Sequence, residues 1–297
     1  MTPVMNQVGQ SGSQSSVTFM QKLPALIAMM RLPNCLMIGF AVIVGEFLAS
    51  TLVPTRVAIY GFLTAFLLLG ASMILNDYFD REIDAINEPS RPLPAGIVKP
   101  SEALSFALIL CSLGLLMAAY TGIATLLIAL LTIAIMIAYN SKIKRTGLLG
   151  NIFVSTNVAV PFIYGGFAVG SPTWALGIFA LLAFLASVGR EIVKGIVDVQ
   201  GDKARGVRSV AVIKGNGTAA KYGAAFFVTA VGLSVLPLVL GLVTYYYIPL
   251  VVICDFGFLL TAYSLLSNSS AGNARRSKKY VLIWMTFGLL AFVLGSL

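Results

Sequence analysis

Two short segments hold most of the acid in this 297-residue chain. The first reads Asn76-Asp77-Tyr78-Phe79-Asp80-Arg81-Glu82-Ile83-Asp84, and the second places Glu191 ahead of Asp198-Val199-Gln200-Gly201-Asp202. Asn76, Asp80 and Asp84 are spaced i, i+4, i+8, and Asp198 and Asp202 are spaced i, i+4. On helical backbone each set therefore lies along one face. Oxygen-only donors suit a hard cation, above all Mg2+, which takes one or two carboxylates together with substrate phosphates. Basic residues stand close by: Lys142 and Lys144, Arg190 and Lys194, and Lys203, Arg205 and Arg208. Acids that can hold metal beside bases that can hold phosphate describe a diphosphate site. Solvated surface salt bridges would explain a lone DxxxD. They explain two acid clusters less well in a chain with only 11 Asp and Glu.

The elements that must position these residues are membrane helices. Charged residues are 10% of the chain and hydrophobic residues 58%, against roughly 25% charged in soluble domains. Apolar runs of about 20 residues, the length that crosses a bilayer, occur at 32–52, 57–77, 101–121, 123–140, 148–167, 173–194, 219–240, 246–267 and 278–296. None shows the period-2 alternation of a strand. The expected fold is an all-α integral membrane protein, nine transmembrane helices around a central cavity with two aspartate-rich cytoplasmic loops. Residues 1–16, rich in Gln, Ser and Gly, read as a disordered tail without the basic start of a signal peptide. Residues 17–297 read as one membrane domain.

With nine spans, nearly every Lys and Arg falls on one side, and only Arg56 falls opposite. The positive-inside rule then makes the chain a multi-pass cell-membrane protein with a cytoplasmic N-terminus and an external C-terminus. The same rule accounts for the net charge of +9, and no arginine-rich run with interleaved aromatics makes nucleic acid an expected partner. The two acid segments are four spans apart, so they emerge on the same face and can converge over one cavity. The chain has no histidine, which removes Ser-His-Asp and Cys-His catalysis and histidine-ligated zinc, iron or haem. Cys35, Cys111 and Cys254 lack CxxC spacing, so neither a disulfide framework nor a thiolate metal site is expected. A substrate anionic at one end and reached from within a membrane is most simply a polyprenyl diphosphate, its allylic C1 becoming cationic as the diphosphate leaves.

These segments resemble the UbiA-type superfamily of intramembrane prenyltransferases. Its NDxxDxxxD motif is matched by Asn76, Asp77, Asp80 and Asp84, and its DxxxD motif by Asp198 and Asp202. The resemblance spans roughly 31–215. It implies Mg2+ on Asp80, Asp84, Asp198 and Asp202, with Asp77 and Asn76 in support, a prenyl diphosphate donor, and surrounding membrane lipid. Within the superfamily, Arg31-Leu32-Pro33-Asn34-Cys35, the run from Asp84 through Asn87 and Arg91 to Gly96, and Arg190-Glu191-Ile192-Val193-Lys194 are most similar to the digeranylgeranylglyceryl phosphate synthase branch. That branch transfers a geranylgeranyl group to the hydroxyl of geranylgeranylglyceryl phosphate, forming an ether lipid precursor. Chlorophyll synthases share the run after Asp84, so an aromatic or chlorophyllide acceptor is the alternative. Superfamily members often carry YxxxK after the fourth span. Here Tyr139 is followed by lysines at +3 and +5, so Lys142 and Lys144 are both carried as diphosphate ligands. The expected substrate-binding set is Asn34, Asn76, Arg91, Tyr139, Lys142, Lys144, Arg190, Lys194 and Arg208.

Other polar residues have plainer readings. Asp255 lies deep in the eighth span, either lining a cavity or hydrogen-bonded within the bundle. Glu46 is expected to reach water at the outer end of its helix, and Tyr245-Tyr246-Tyr247 to form an interfacial belt. Asn151 and Asn157 fit either a pocket wall or helix–helix hydrogen bonds. A transporter is the rival from another class, since intramembrane acids also mark ion pathways. However, inverted repeats would place equivalent motifs in opposite orientations near the midplane, and here they share an orientation at helix ends. A purely structural membrane protein is the weakest option, given the concentration of acids.

Overall fold

The computed structural model describes residues 19–204 and 206–297; the tail expected over 1–16 and Arg205 lie outside the described residues. A first helix, α1 (Phe19–Met29), leads into α2 (Leu32–Ala49), α3 (Thr55–Asn87), α4 (Pro100–Thr121), α5 (Ile123–Ser141), α6 (Leu148–Ala168) and α7 (Ala175–Val197). Short helices α8 (Val199–Ala204) and α9 (Val210–Lys214) follow, then α10 (Asn216–Leu233), α11 (Leu236–Val239), α12 (Tyr247–Ser267) and α13 (Ala271–Gly295). Among the described residues nine helices are long and apolar enough to cross a membrane: α2 to α7, α10 extended through α11, α12 and α13. They coincide with the nine apolar runs.

Helix starts follow local chemistry. Pro33 sits in the first turn of α2, where its missing N–H would have no partner anyway. At the start of α4 the Glu102 carboxylate accepts from the Lys99 backbone N–H at 2.9 Å, and Lys22 of α1 reaches the same carboxylate at 2.6 Å. In packing order α2, α3, α4, α5, α6, α7, α10, α12 and α13 form a closed circuit, with α13 returning against α2. The largest contacts that cross it are α2 on α6 and α13 on α7. α7 has 67% of its most apolar stretch buried, against 17% for α5, so α7 is the central post of the bundle.

The α2–α6 contact is unusually close. A β-carbon on Gly165 would lie 2.4 Å from the Val42 carbonyl oxygen, and one on Gly45 would lie 2.4 Å from the Phe162 carbonyl oxygen. Backbone meets backbone there, as small residues permit between membrane helices.

Three expectations are refined or corrected. The first aspartate segment belongs to α3, whose 33 residues reach about 50 Å at 1.5 Å each. That exceeds the roughly 30 Å of hydrocarbon, so the final turns stand clear and carry Asp80 and Asp84 as helix. Asp198 caps α7 and Asp202 sits in α8, so the second segment is also largely helical. Glu46 does not reach water: it is fully buried, because its turn of α2 faces Gly61 of α3 and Gly165 of α6. In the tyrosine triplet, Tyr245 and Tyr246 are exposed, but Tyr247 is buried and donates to the Ser234 carbonyl at 2.9 Å.

Gly165→Ala should destabilise the protein in detergent by about 2 kcal/mol, the scale of overpacking a tight contact. Gly177→Ala, whose β-carbon would meet nothing within 4 Å, should leave the melting temperature unchanged or raised. Equal effects of the two substitutions would refute the close-contact account.

Candidate functional site

The face at which α3, α5 and α7 end opens into a polar cavity of about 670 Å3. Its walls come from distant parts of the chain: Asp80 and Asp84 on α3, Tyr139 and Asn140 on α5, Asn151 on α6, Glu191 and Lys194 on α7, Asp202 on α8, and Arg275 on α13. Both aspartate segments therefore line one chamber. Tyr139 of α5 lines the same chamber with Asp80, Glu191, Lys194 and Asp202.

Several carboxylates in and behind the wall of this chamber are held by cations. Arg91 Nη1 lies 2.6 Å from Asp84 Oδ2 and 3.3 Å from Asp77 Oδ1. Arg31 Nη2 reaches the same Asp77 oxygen at 3.0 Å. Lys144 pairs with Asp80. On the opposite wall Glu191 receives Arg190 at 2.9 Å and Lys194 at 3.1 Å. Asp77 and Asp84 are almost fully buried, and a buried charge needs such a partner. Below them Asn76 donates to the Asn140 side-chain oxygen at 3.0 Å, tying α3 to α5.

Of the expected residues, Asn76, Asp80, Asp84, Arg91, Tyr139, Lys142, Lys144, Lys194, Asp198 and Asp202 line the cavity. Asp77 sits behind the wall with Arg31 and Arg91. Asn34, in the first turn of α2, and Arg190, turned onto Glu191, are not among the lining residues. Arg208 is exposed outside the lining, while its backbone N–H donates to the Arg145 carbonyl at 3.1 Å. That contact is close because Gly147, at φ 69, has no β-carbon; one would lie 1.9 Å from the Arg208 carbonyl oxygen.

Sequence reasoning missed Arg31, Asn140 and Arg275 as site residues. Arg31 is the only described non-glycine with positive φ, at 55, a conformation disfavoured by about 1 kcal/mol or more. Its signal was the Arg-Leu-Pro start of α2. Asn140 and Arg275 had local signals too, the Tyr139-Asn140 pair and the basic run from Arg275 to Lys279. Only the fold could say which of these face inward.

The donor set can be tested against a divalent cation. Among the described residues no three His, Cys, Asp or Glu side chains converge enough to hold a metal alone. The chamber instead offers separate carboxylates, one or two per ion, the number Mg2+ uses when phosphate oxygens complete its shell. The residues therefore fit Mg2+ together with a diphosphate.

Comparison with known proteins agrees with this chemistry. Residues 38–292 match the UbiA prenyltransferase family. The chain is 36% identical over 277 residues to the digeranylgeranylglyceryl phosphate synthase of Thermococcus sibiricus, covering 93% of this chain and 98% of that one. It superposes on a solved structure of a digeranylgeranylglyceryl phosphate synthase with a TM-score of 0.76 at 33% identity, covering 93% of this chain and 99% of that one. A UbiA homolog from Archaeoglobus fulgidus, bound to GPP and Mg2+, shares the fold with a TM-score of 0.60 at 15% identity, over 92% and 99% of the two chains.

Arg91→Ala should expose the cost of the buried acids. In metal-free buffer the variant should lose about 2 kcal/mol, the scale of leaving buried acceptors short of a donor. Added Mg2+ with inorganic diphosphate should restore part of that loss. Thermal melting with and without the additives reads both effects, and a variant as stable as the parent in metal-free buffer would refute the role given to Arg91.

Proposed function

The chain belongs to the UbiA prenyltransferase family, a multi-pass membrane enzyme, and on that premise we propose that it transfers a geranylgeranyl group from geranylgeranyl diphosphate to the hydroxyl of geranylgeranylglyceryl phosphate. The observation that carries this reading is the charge of the cavity. Seven cations and six acids line it: Arg31, Arg91, Lys142, Lys144, Arg145, Lys194 and Arg275 against Asp80, Asp84, Glu88, Glu191, Asp198 and Asp202. Taken alone, these charges nearly cancel. Once metal takes up the aspartates, the cations are left for phosphate oxygens, and there are enough of them for two phosphorylated substrates. An acceptor carrying a single carboxylate, such as 4-hydroxybenzoate or chlorophyllide, would need fewer of them than one carrying a phosphate. The 36% identity to a digeranylgeranylglyceryl phosphate synthase over 93% of the chain supports the same acceptor.

Mg2+, held by Asp80 and Asp84 on one side and Asp198 and Asp202 on the other, would neutralise the charge that builds on the departing diphosphate. The remaining work falls to side chains. Lys144 and Lys142 from the α5–α6 turn, with Arg91 from the turn after α3, hold the diphosphate as the C1–O bond breaks and the electron pair leaves with it. Lys194 and Arg275 on the opposite wall hold the acceptor's phosphate. The acceptor hydroxyl oxygen then bonds to C1, and its proton passes to the released diphosphate or to water. Without histidine the site offers no neutral imidazole base, and an allylic cation formed first needs none. The apolar span interior keeps water from C1.

The orientation is part of the proposal. The site face carries nearly all the basic residues and is assigned to the cytoplasm, which puts the water-soluble end of both substrates there.

Asp80→Ala and Asp202→Ala should each lower turnover by about 10²-fold or more, the scale of losing a key electrostatic group, and EDTA should abolish product until Mg2+ is restored. Full activity in both folded variants would remove the aspartates from the reaction. Product analysis with geranylgeranyl diphosphate and competing acceptors tests the branch. Geranylgeranylglyceryl phosphate should be alkylated and 4-hydroxybenzoate and chlorophyllide ignored, and the reverse pattern would overturn the acceptor. For orientation, an impermeant maleimide applied to intact cells should label Ser171→Cys and spare Ser269→Cys; the opposite result would invert the topology.

A further inference from the structure

Asp77 stands apart from the other aspartates of its segment. Asp80 and Asp84 line the chamber and Asp77 does not. It is buried behind the wall, where its Oδ1 takes both Arg31 Nη2 at 3.0 Å and Arg91 Nη1 at 3.3 Å. Arg31 and Arg91 themselves do line the chamber, so one carboxylate oxygen holds two cations at its edge. Arg91 Nη1 also reaches Asp84 Oδ2 at 2.6 Å, the shorter of its two contacts. A single guanidinium nitrogen is therefore shared between an acid that faces the chamber and one that does not.

Both arginines have fixed backbones. Arg91 belongs to a turn closed by its own N–H on the Glu88 carbonyl at 3.0 Å and by the Ala95 N–H on the Arg91 carbonyl at 2.9 Å. Leu93 and Val98 of the same turn are buried in one apolar cluster with Met30, Ala71 and Ile74, and Pro92 and Pro94 restrict it further. Arg31 follows Met30 directly, and its carbonyl accepts from the Asn34 N–H at 2.9 Å. Cys35, one residue on, is buried in that same cluster. Only the two side chains are left to adjust when the charge around them changes.

We propose that Arg91 is a counter-cation that Mg2+ must displace from Asp84, and that Asp77 is a positioning residue, not a metal ligand, that retains the displaced Arg91 at the chamber edge beside Arg31. This rests on the proposed function, in which Asp84 carries Mg2+ and Arg91 holds the diphosphate. Neither residue can do its part while bound to the other. A divalent ion on Asp84 sets like charge against the Arg91 guanidinium, and repulsion drives the two apart. The Asp77 oxygen, already in contact, keeps Arg91 from being lost to solvent. Because Asp77 is shared between two arginines, the group retains a surplus of positive charge for an anion to satisfy. Metal binding therefore releases the arginine that diphosphate needs, and by linkage diphosphate eases the binding of metal. Asp77 acts on both only through Arg31 and Arg91.

Calorimetric titration of the full-length protein with Mg2+ alone reads the competition directly. Arg91→Gln should bind Mg2+ about tenfold more tightly than the parent, within the usual range for coupled sites. Arg145→Gln, which takes the same charge from the chamber lining outside this network, should gain about twofold or less. The KM of Arg91→Gln for the prenyl diphosphate should instead rise about tenfold, as a charge-assisted contact is lost. A general structural defect would not strengthen one ligand and weaken the other. Asp77→Asn should weaken Mg2+ binding about tenfold, since Arg91 is then left to Asp84 alone. The double variant Asp77→Asn/Arg91→Gln should regain the parent's affinity or better. A double variant as weak as Asp77→Asn would make Asp77 a ligand and overturn the proposal, as would Arg91→Gln no tighter than Arg145→Gln. If Arg91→Gln does not fold, Arg91→Lys takes its place. Its shorter arm and lone ammonium hold Asp84 less well, so Mg2+ should bind about threefold more tightly, and unchanged affinity would count against the proposal. The metal assignment beneath it fails separately, if Asp84→Asn binds Mg2+ as tightly as the parent.

Discussion

A carboxylate at the edge of hydrocarbon must be neutralised, and most of this structure follows from that requirement. The near-buried Asp77 and Asp84 need Arg31 and Arg91, Asp80 takes Lys144, and Glu191 takes two cations of its own helix. Those cations must themselves be anchored. Arg91 therefore comes from the turn after α3, Lys144 from the turn after α5, and Arg31 from the left-handed junction between α1 and α2. The ends of α3, α5 and α7 are thereby gathered around one chamber. The same charges that make the face stable leave it ready for a ligand that can replace one ionic partner with another.

Much of this was legible in the chain. Long apolar runs define membrane helices with little ambiguity, because no other structure satisfies backbone hydrogen bonds in lipid. The spans differ from those runs by only a few residues at most ends. The acid segments were legible as well, since so few charges are present that each cluster stands out. Sequence could not tell what a residue faces. Glu46 looked like an end-of-helix carboxylate, but the glycines opposite it on α3 and α6 let the helices close over it. Both of its oxygens are buried without a hydrogen-bond partner. Tyr247 looked like its two exposed neighbours and is instead held inward by the Ser234 carbonyl. Asn140 acquires its role only from Asn76, 64 positions earlier. In each instance the missing information is a contact between distant helices.

The bundle also shows why α7 and α6 are so different in character. α7 is buried along two-thirds of its apolar stretch through Phe179, Val188, Ile192 and Ile196, and it meets α10 closely at Gly189 and Gly223. α6 carries Gly150, Gly165 and Gly166 together with Pro161, trading side-chain volume for closeness to its neighbours. At Gly45 and Gly165 that exchange lets the backbones of α2 and α6 meet directly.

The touch between Gly147 and Arg208 has its own consequence. It joins the turn that carries Lys144 to the strand of chain that follows Asp202, with no side chain between them to absorb an adjustment. Loops on protein surfaces ordinarily accept added or deleted residues. These two do not have that latitude, because a change of length in either would displace the other and misalign both halves of the chamber together. Among related chains, the lengths of these two connections should therefore be inherited as a pair, while the turns on the far side of the membrane drift freely.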